Sequence, residues 1–269
     1  MKLGVAYNIF DGEEMLPHSL RNLRPMVDFI CVVYQTTSNF GNENPLLLEK
    51  LEMLQMEGLI DKLFAYEPIL DKKENGEIDW KNGTNNEFNK RNIGLNICRV
   101  NGCDTFMTID CDELYDEKQF LWAKKDFEDG GYDTSFSQMK TFYKHPTLEV
   151  TPSEEYYVPL FYKIKKDTKF TYEFAPPYPC EIDPTRRVKA GYSRIYQRDE
   201  IEMYHYAYVR HNLVSKVTNT SAQSDIISKK QVCYHFDNFK GVEDGALFIG
   251  LQAFDLKEVE NKFNINLSE

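Results

Sequence analysis

Three acidic side chains fall within four residues in the segment Ile109-Asp110-Cys111-Asp112-Glu113, directly after the apolar run DTFMTI at 104–109. Asp110 and Asp112 point to one side of an extended segment, because side chains alternate between faces. Two carboxylates on one side suit Mg²⁺ or Mn²⁺, which prefer oxygen ligands. Such a cation would bridge diphosphate oxygens and neutralise charge on a departing phosphate. The alternative is a solvated acidic turn that caps the next helix.

The elements before these acids alternate between strand and helix patterns. Strands are predicted at 3–7, 29–34, 62–66 and 104–109. A first helix is predicted to start near Glu14. A second is predicted to run through Leu47, Leu51 and Leu54 and to end at Gly58, and a third to begin at a capping box, Thr84–Glu87. Ile93, Ile97 and Val100 would form the buried stripe of this third helix. Apolar strands joined by helices indicate a mostly parallel sheet, whose ligand edge lies at the carboxyl ends of its strands.

The second half of the chain has a different pattern. A helix is predicted from Asp116 to Glu128, followed by strand-like segments rich in aromatic residues. The Pro-rich segment 175–187 is predicted to be an irregular loop, and a helix is expected from about Val209 to Thr220. No repeat or linker interrupts the chain, so one domain over residues 1–269 is expected, with a more β-rich, Tyr/Pro-rich C-terminal half.

Composition narrows the classes of function. The net charge of −11 disfavours broad nucleic-acid binding, although Lys163, Lys165, Lys166 and Lys169 form a local basic cluster. The six cysteines form no CxxC pair and are typical of a reduced intracellular protein. No signal-peptide pattern and no apolar run of about 18 residues is present, so a cytoplasmic protein without stable membrane insertion is expected.

The order of elements resembles the GT-A glycosyltransferases, especially those of family 2. The segments that carry the resemblance are VAYN at 5–8, NKRNIGLNICRVNGCDTFMTIDCDELY at 89–115 and HYAYVRHNLVSKVTN at 205–219. The resemblance implies an α/β GT-A fold, with a Rossmann-like, mostly parallel sheet flanked by helices. It also implies that residues 1–115 bind a nucleotide sugar and that residues 116–269 bind the acceptor.

The resemblance also implies roles for individual residues. Donor-binding residues would be Ala6, Tyr7 and Asn8 beside the base, Tyr34 and Gln35 beside the base or ribose, Arg91 at the diphosphate or donor loop, and Glu113 in support. Asp110 and Asp112 would hold the ribose and the metal, and His205 would complete the metal site, with His235 as a rival. Arg210 and Lys216 are candidates for binding phosphate oxygens, as guanidinium and ammonium groups do.

An inverting transfer would also need a carboxylate base within one hydrogen bond of the acceptor hydroxyl. Asp183 is the preferred candidate and Glu181 the second, while Glu243-Asp244 lies far downstream. A retaining enzyme needs no such base, so the stereochemistry stays open. The Tyr- and Pro-rich segment 172–187 is a candidate acceptor platform, because aromatic faces stack on sugar rings. A glycan or lipid-linked sugar is the default acceptor, with a modified DNA base or a protein as further options.

The leading hypothesis is hexosyl or pentosyl transfer from a UDP-linked donor with Mn²⁺ or Mg²⁺. A sugar-phosphate nucleotidyltransferase would use similar carboxylates, but those enzymes usually carry a Gly-rich basic loop after the first strand. NIFDGEEML at 8–16 has one glycine and three acids, and fits that expectation poorly. A non-catalytic module that binds a nucleotide sugar is the third hypothesis.

Overall fold

A computed structural model describes residues 1–74, 76, 78–79, 81–189, 191–219 and 226–267. The chain forms a mixed α/β fold in which helices flank one large sheet. The strands are β1 (Leu3–Ile9), β2 (Phe29–Tyr34), β3 (Lys62–Ala65), β4 (Thr105–Ile109), β5 (Glu113–Tyr115), β6 (Thr134–Tyr143), β7 (Leu148–Thr151), β8 (Tyr157–Lys163), β9 (Ser193–Ile195), β10 (Glu202–Tyr208), β11 (Ala246–Phe248) and β12 (Gln252–Glu258). The helices are α1 (Leu16–Leu23), α2 (Leu47–Met56), α3 (Lys81–Val100), α4 (Glu117–Asp129), α5 (Leu213–Asn219) and α6 (Ile226–Asp237).

The sheet has a parallel half and a mixed half. In the parallel half the strand order is β3-β2-β1-β4, and every neighbouring pair is parallel. Beyond β4 the sheet continues through β8, β6, β7, β12 and β11 in antiparallel pairs, while β9 and β10 pair with β6 in parallel. The predicted fold class, with a β-rich second half, is therefore confirmed. The order β2-β1-β4 brings the carboxyl ends of three parallel strands to one edge.

The starts of two helices differ from the sequence prediction. Helix α1 begins at Leu16 instead of near Glu14, with Pro17 in its first turn, where its missing N–H costs little. Helix α3 begins at Lys81, so Thr84 lies inside the helix and the predicted capping box is wrong. The polar segment before Thr84 reads as a loop by composition, but its last residues already belong to the helix.

The predicted buried stripe of α3 is also wrong. Val100 is 85% exposed, and Ile93 and Ile97 are only half-buried. The face of α3 that packs on β1 and β2 instead buries Arg91 and Gly94, among others. A Cβ at position 94 would lie 2.5 Å from the Ala6 Cβ, so glycine permits this close approach. The close packing brings a charged face of α3 against the edge where β1 ends.

The second half follows the predicted pattern with one correction. Helix α4 is confirmed, and the Asp116 side chain caps it by accepting a hydrogen bond from the Gln119 N–H. The helix expected from Val209 to Thr220 is shorter, because α5 begins only at Leu213; Thr220 lies outside the described residues. None of the described helices is both long and apolar enough to cross a membrane.

Candidate active site

A cleft of about 550 Å³ opens at the carboxyl ends of β1, β2 and β4. This is the edge at which an open α/β sheet usually binds its ligands. The lining contains many charged and amide side chains and comes from both halves of the chain. It includes Asn8, Asp11, Gln35, Asn39, Glu87, Lys90, Arg91, Asp110, Asp112, Tyr156, Tyr172, Asp183, Thr185, His205, Arg210 and Lys216.

Asp112 lies deep in this cleft and is only 4% exposed. Its Oδ2 accepts hydrogen bonds from Arg210 Nη2 at 2.9 Å and from Lys216 Nζ at 3.1 Å. Burial alone would raise the pKa of Asp112, but the charges of Lys216 and Arg210 outweigh it and hold that pKa well below its usual range. Asp112 is therefore an ionised, charge-paired carboxylate at neutral pH.

Asp110 belongs to a second group of ion pairs. Its Oδ2 lies 2.7 Å from Arg186 Nη2, and its Oδ1 lies 3.8 Å from Arg91 Nη2. Arg186 also holds Glu113 with both terminal nitrogens, at 2.6 and 3.2 Å. Burial raises the pKa of Glu113 to about 7, although Arg186 opposes the shift. The three acids that are adjacent in sequence thus occupy different electrostatic environments.

Arg91 links the end of β4 to the Pro-rich loop. Its Nη1 donates to Thr108 Oγ1 at 2.7 Å, and its Nε donates to Thr185 Oγ1 at 3.3 Å. The Thr185 hydroxyl in turn donates to Asp183 Oδ2 at 2.8 Å. The carboxylate of Asp183 is 40% exposed and lines the cleft, so it is both oriented and accessible.

His205 lies on β10, opposite Glu113 of β5 in the antiparallel ladder. Its Nε2 is 3.8 Å from Asp112 Oδ1, and its buried Nδ1 has no hydrogen-bond partner among the residues that the structure describes. Burial lowers the pKa of His205 to about 4, even though Asp112 opposes the shift. The imidazole is therefore neutral at physiological pH, the form in which histidine binds metals.

Amide side chains form the wall of the cleft near the ends of β1 and β2. Gln35 Nε2 donates to Asn39 Oδ1 at 3.1 Å, and Asn8 Nδ2 lies 3.4 Å from Glu87 Oε2. Lys90 pairs with Glu87 at 2.7 Å. This wall offers donors and acceptors of the kind that bind a nucleobase or ribose.

The described residues of the cleft offer carboxylate oxygens to a divalent cation, but these do not form a preassembled cage. Among the described residues, no three side chains of ligand type converge on one point. Mg²⁺, however, is commonly held by one or two carboxylates together with substrate phosphates. The charged cluster contains six carboxylates and five basic side chains, namely Asp11, Glu87, Asp110, Asp112, Glu113 and Asp183 against Lys90, Arg91, Arg186, Arg210 and Lys216. A diphosphate would add negative charge that the basic residues do not offset, so a cation fits the site once a nucleotide is bound.

Several residues singled out from the sequence lie elsewhere. Ala6 and Tyr7 are fully buried and Tyr34 is 9% exposed, and none of them lines the cleft. Their positions argue against the predicted donor-binding roles, because β1 and β2 are covered on both faces. The Tyr7 hydroxyl instead lies 2.9 Å from Ser19 Oγ. Glu181 is exposed and does not line the cleft, so it is poorly placed to act as a base.

The downstream candidates form a separate group. His235 Nδ1 lies 3.0 Å from the Tyr143 hydroxyl, and its Nε2 lies 3.2 Å from the Asp244 carbonyl oxygen. Glu243 and Asp244 occupy a short 3₁₀ turn before β11. The side chains of His235, Glu243 and Asp244 do not line the cleft that contains Asp112. His205 is therefore better placed than His235 to act with Asp112.

Two parts of the site are not indicated by the sequence pattern. Arg186, in the Pro-rich segment, is 4% exposed and contacts Asp110 and Glu113. Glu87, expected to belong to a capping box, instead lines the cleft and pairs with Lys90. The spacing of Glu87, Lys90 and Arg91 along one helix face could have indicated a buried charged face.

The sequence matches no protein-family model, and no curated protein matches it. Among solved structures, the chain is similar to TarS of S. aureus, with 13% identity and a TM-score of 0.48 over 88% of this chain and 43% of that one. A fragment of TarS, residues 1–349, matches with a TM-score of 0.48 over 71% of its length, and its complex with UDP-GlcNAc with a TM-score of 0.41 and 12% identity. This chain therefore spans less than half of the TarS chain that it matches.

Proposed function

We propose that this chain is a metal-dependent glycosyltransferase that uses a nucleotide-sugar donor. The observation that carries the proposal is the joint position of Asp110 and Asp112 in one cleft, at the carboxyl edge of the parallel strands. Basic side chains lie beside these carboxylates, and an amide-rich wall lies in the same cleft. Together they offer one surface for a cation, one for a diphosphate and one for a nucleoside.

The donor would lie across the ends of β1, β2 and β4. Asn8, Gln35 and Asn39 would bind the base and ribose, while Lys216 would bind diphosphate oxygens. Asp110 and Asp112, with His205, are the side chains that would hold Mn²⁺ or Mg²⁺. A bound cation of this kind supplies Lewis-acid stabilisation of the departing diphosphate.

Asp183 is the side chain best placed to act as a base. In an inverting transfer, its carboxylate would take the proton of the acceptor hydroxyl while that oxygen bonds to the anomeric carbon. The bond from that carbon to the diphosphate oxygen breaks, and the nucleoside diphosphate leaves with the electron pair. Arg91 and Thr185 hold Asp183 in place through the hydrogen bonds described above.

The acceptor side favours a saccharide. Tyr156 and Tyr172 line the same cleft as Asp183, and Tyr172 is 51% exposed. Exposed aromatic rings bury the apolar faces of sugar rings while leaving hydroxyls free. A glycan or a lipid-linked sugar is therefore the acceptor class that we propose.

The test is release of nucleoside diphosphate from a panel of UDP-sugars, beginning with UDP-GlcNAc, with Mn²⁺, Mg²⁺ or EDTA. Release that depends on the metal and disappears in Asp112→Asn supports the proposal. Asp133→Asn is a matched control, because Asp133 pairs with Lys165 away from the cleft. Formation of pyrophosphate from a nucleoside triphosphate and a sugar phosphate would indicate a nucleotidyltransferase. Binding of the donor without turnover against a saccharide panel would indicate a binding module.

A further inference from the structure

Arg186 is the most completely enclosed charged side chain contributed by the Pro-rich loop, at 4% exposure. It ends a short 3₁₀ turn, Pro184–Arg186, that Asp183 caps by accepting the Thr185 N–H at 2.8 Å. Its own carbonyl oxygen accepts the Tyr162 hydroxyl at 2.7 Å. The backbone of Arg186 is therefore anchored independently of its guanidinium.

The guanidinium contacts the carboxylates of Asp110 and Glu113, the first and the last acids of the segment 110–113. Its two terminal nitrogens hold Glu113, and one of them also lies 2.7 Å from Asp110 Oδ2. Glu113 Oε2 in turn lies 3.3 Å from the Asp110 N–H. Asp110 is thus fixed at its backbone and at one carboxylate oxygen by the same pair of residues.

This arrangement matters because Asp110 is otherwise free to move. Its side chain is 41% exposed, and its other oxygen is beyond hydrogen-bond reach of Arg91. A half-exposed carboxylate without such a contact would sample several rotamers. Residues that orient a metal-binding carboxylate commonly change affinity or activity by about 10- to 100-fold when they are replaced.

We propose that Arg186 is a positioning residue, which orients Asp110 for the donor. This inference rests on the proposed function for its kinetic consequences. The planar fork is essential, because it serves two carboxylates at once and the point charge of lysine does not.

The test compares Arg186→Lys and Arg186→Met with Arg194→Lys. Arg194 is a matched control, because it also bridges two carboxylates, Asp126 and Glu200, but does so away from the cleft. We expect Arg186→Lys to be folded, as shown by a cooperative unfolding transition. Its kcat should be about 10- to 100-fold lower than that of wild type, and it should bind Mn²⁺ about tenfold more weakly in the presence of UDP. Mn²⁺ binding is measured by electron paramagnetic resonance, and Arg194→Lys should stay within about twofold of wild type.

Wild-type kcat, KM and Mn²⁺ affinity in a folded Arg186→Lys would overturn the inference. If Arg186→Met does not fold, Arg186→Lys decides the question. A wild-type protein that neither binds Mn²⁺ nor consumes a nucleotide sugar would refute the proposed function instead. In that case crystal structures still test Arg186: a displaced Asp110 carboxylate in Arg186→Lys supports the positioning role, and an unmoved one refutes it.

Discussion

Replacing Asp112 by asparagine should affect both stability and turnover. The carboxylate is buried and accepts from two cationic side chains, Arg210 and Lys216. Asparagine keeps the size of the side chain and one acceptor oxygen, but it removes the negative charge. Arg210, itself only 6% exposed, then keeps Asp11, at 3.6 Å, as its ion-pair partner among the described residues.

The size of the effect follows from burial. Removing one partner of a buried ion pair costs about 3–5 kcal/mol, and the remaining hydrogen bond puts Asp112→Asn at the lower end, about 3 kcal/mol. For a chain of this size, 1 kcal/mol corresponds to about 2–4 °C in Tm, so we expect a fall of about 6–12 °C. If Asp112 also holds the cation, turnover should fall by more than about 100-fold, beyond the effect of losing a supporting residue.

The pH dependence of the free energy of unfolding distinguishes the contribution of the Asp112 ion pairs from that of side-chain packing. The pKa of Asp112 is well below its usual range in the folded state, so the stabilisation is complete at neutral pH. It is lost only as the pH falls below about 4, towards the folded-state pKa, where wild type also becomes neutral at this position. Thermal or urea unfolding of wild type and Asp112→Asn at pH 7 and pH 3 measures the difference. An equal Tm at pH 7, or normal metal-dependent turnover in the variant, would refute the reasoning.

Three further predictions concern other parts of the cleft. The pKa of His205 is about 4 in the folded state and about 6.5 in the unfolded state, so this group alone should lower the free energy of unfolding of metal-free wild type by about 2 kcal/mol between pH 7 and pH 5. In urea unfolding with EDTA, His205→Gln should lack this loss. Identical pH slopes for the two proteins would contradict the prediction. Gly94→Ala should destabilise by about 1–3 kcal/mol despite better helix propensity, because the new methyl meets Ala6; a raised Tm would contradict this. Asp183→Asn should lower kcat by about 10²- to 10⁴-fold with little change in donor KM, and unchanged kcat in steady-state assays would remove Asp183 as the base.

The parallel half of the fold was predictable because its signals are local. Apolar runs separated by helical patterns gave β1, β2, β3 and β4, and therefore the edge at which Asp110 and Asp112 lie. Helix α3 shows the limit of such signals. Its buried face contains arginine and glycine, so a search for apolar periodicity selects the wrong side.

Arg186 could not be assigned from the sequence for a different reason. Its partners, Asp110 and Glu113, are more than 70 residues away along the chain, and the Pro-rich segment that carries Arg186 has no regular period. A basic residue in a Pro-rich segment is usually exposed. The antiparallel pairing of β8 with β4 and the later 3₁₀ turn at Pro184–Arg186 place this guanidinium beside the carboxyl end of β4.

Arg210 and Lys216, both candidates for binding phosphate oxygens, differ in their burial and in their contacts. Arg210 is held by the Ala207 carbonyl oxygen, by Asp112 and by Asp11, and its side chain is 5% exposed. Lys216 is 25% exposed and reaches Asp112 from α5 on a flexible four-carbon chain. An entering diphosphate competes more easily for the lysine, because moving Arg210 would break three contacts in a buried setting. Arg210 therefore belongs to the framework that keeps Asp112 ionised, and under the proposed function Lys216 is the cation that would bind the donor.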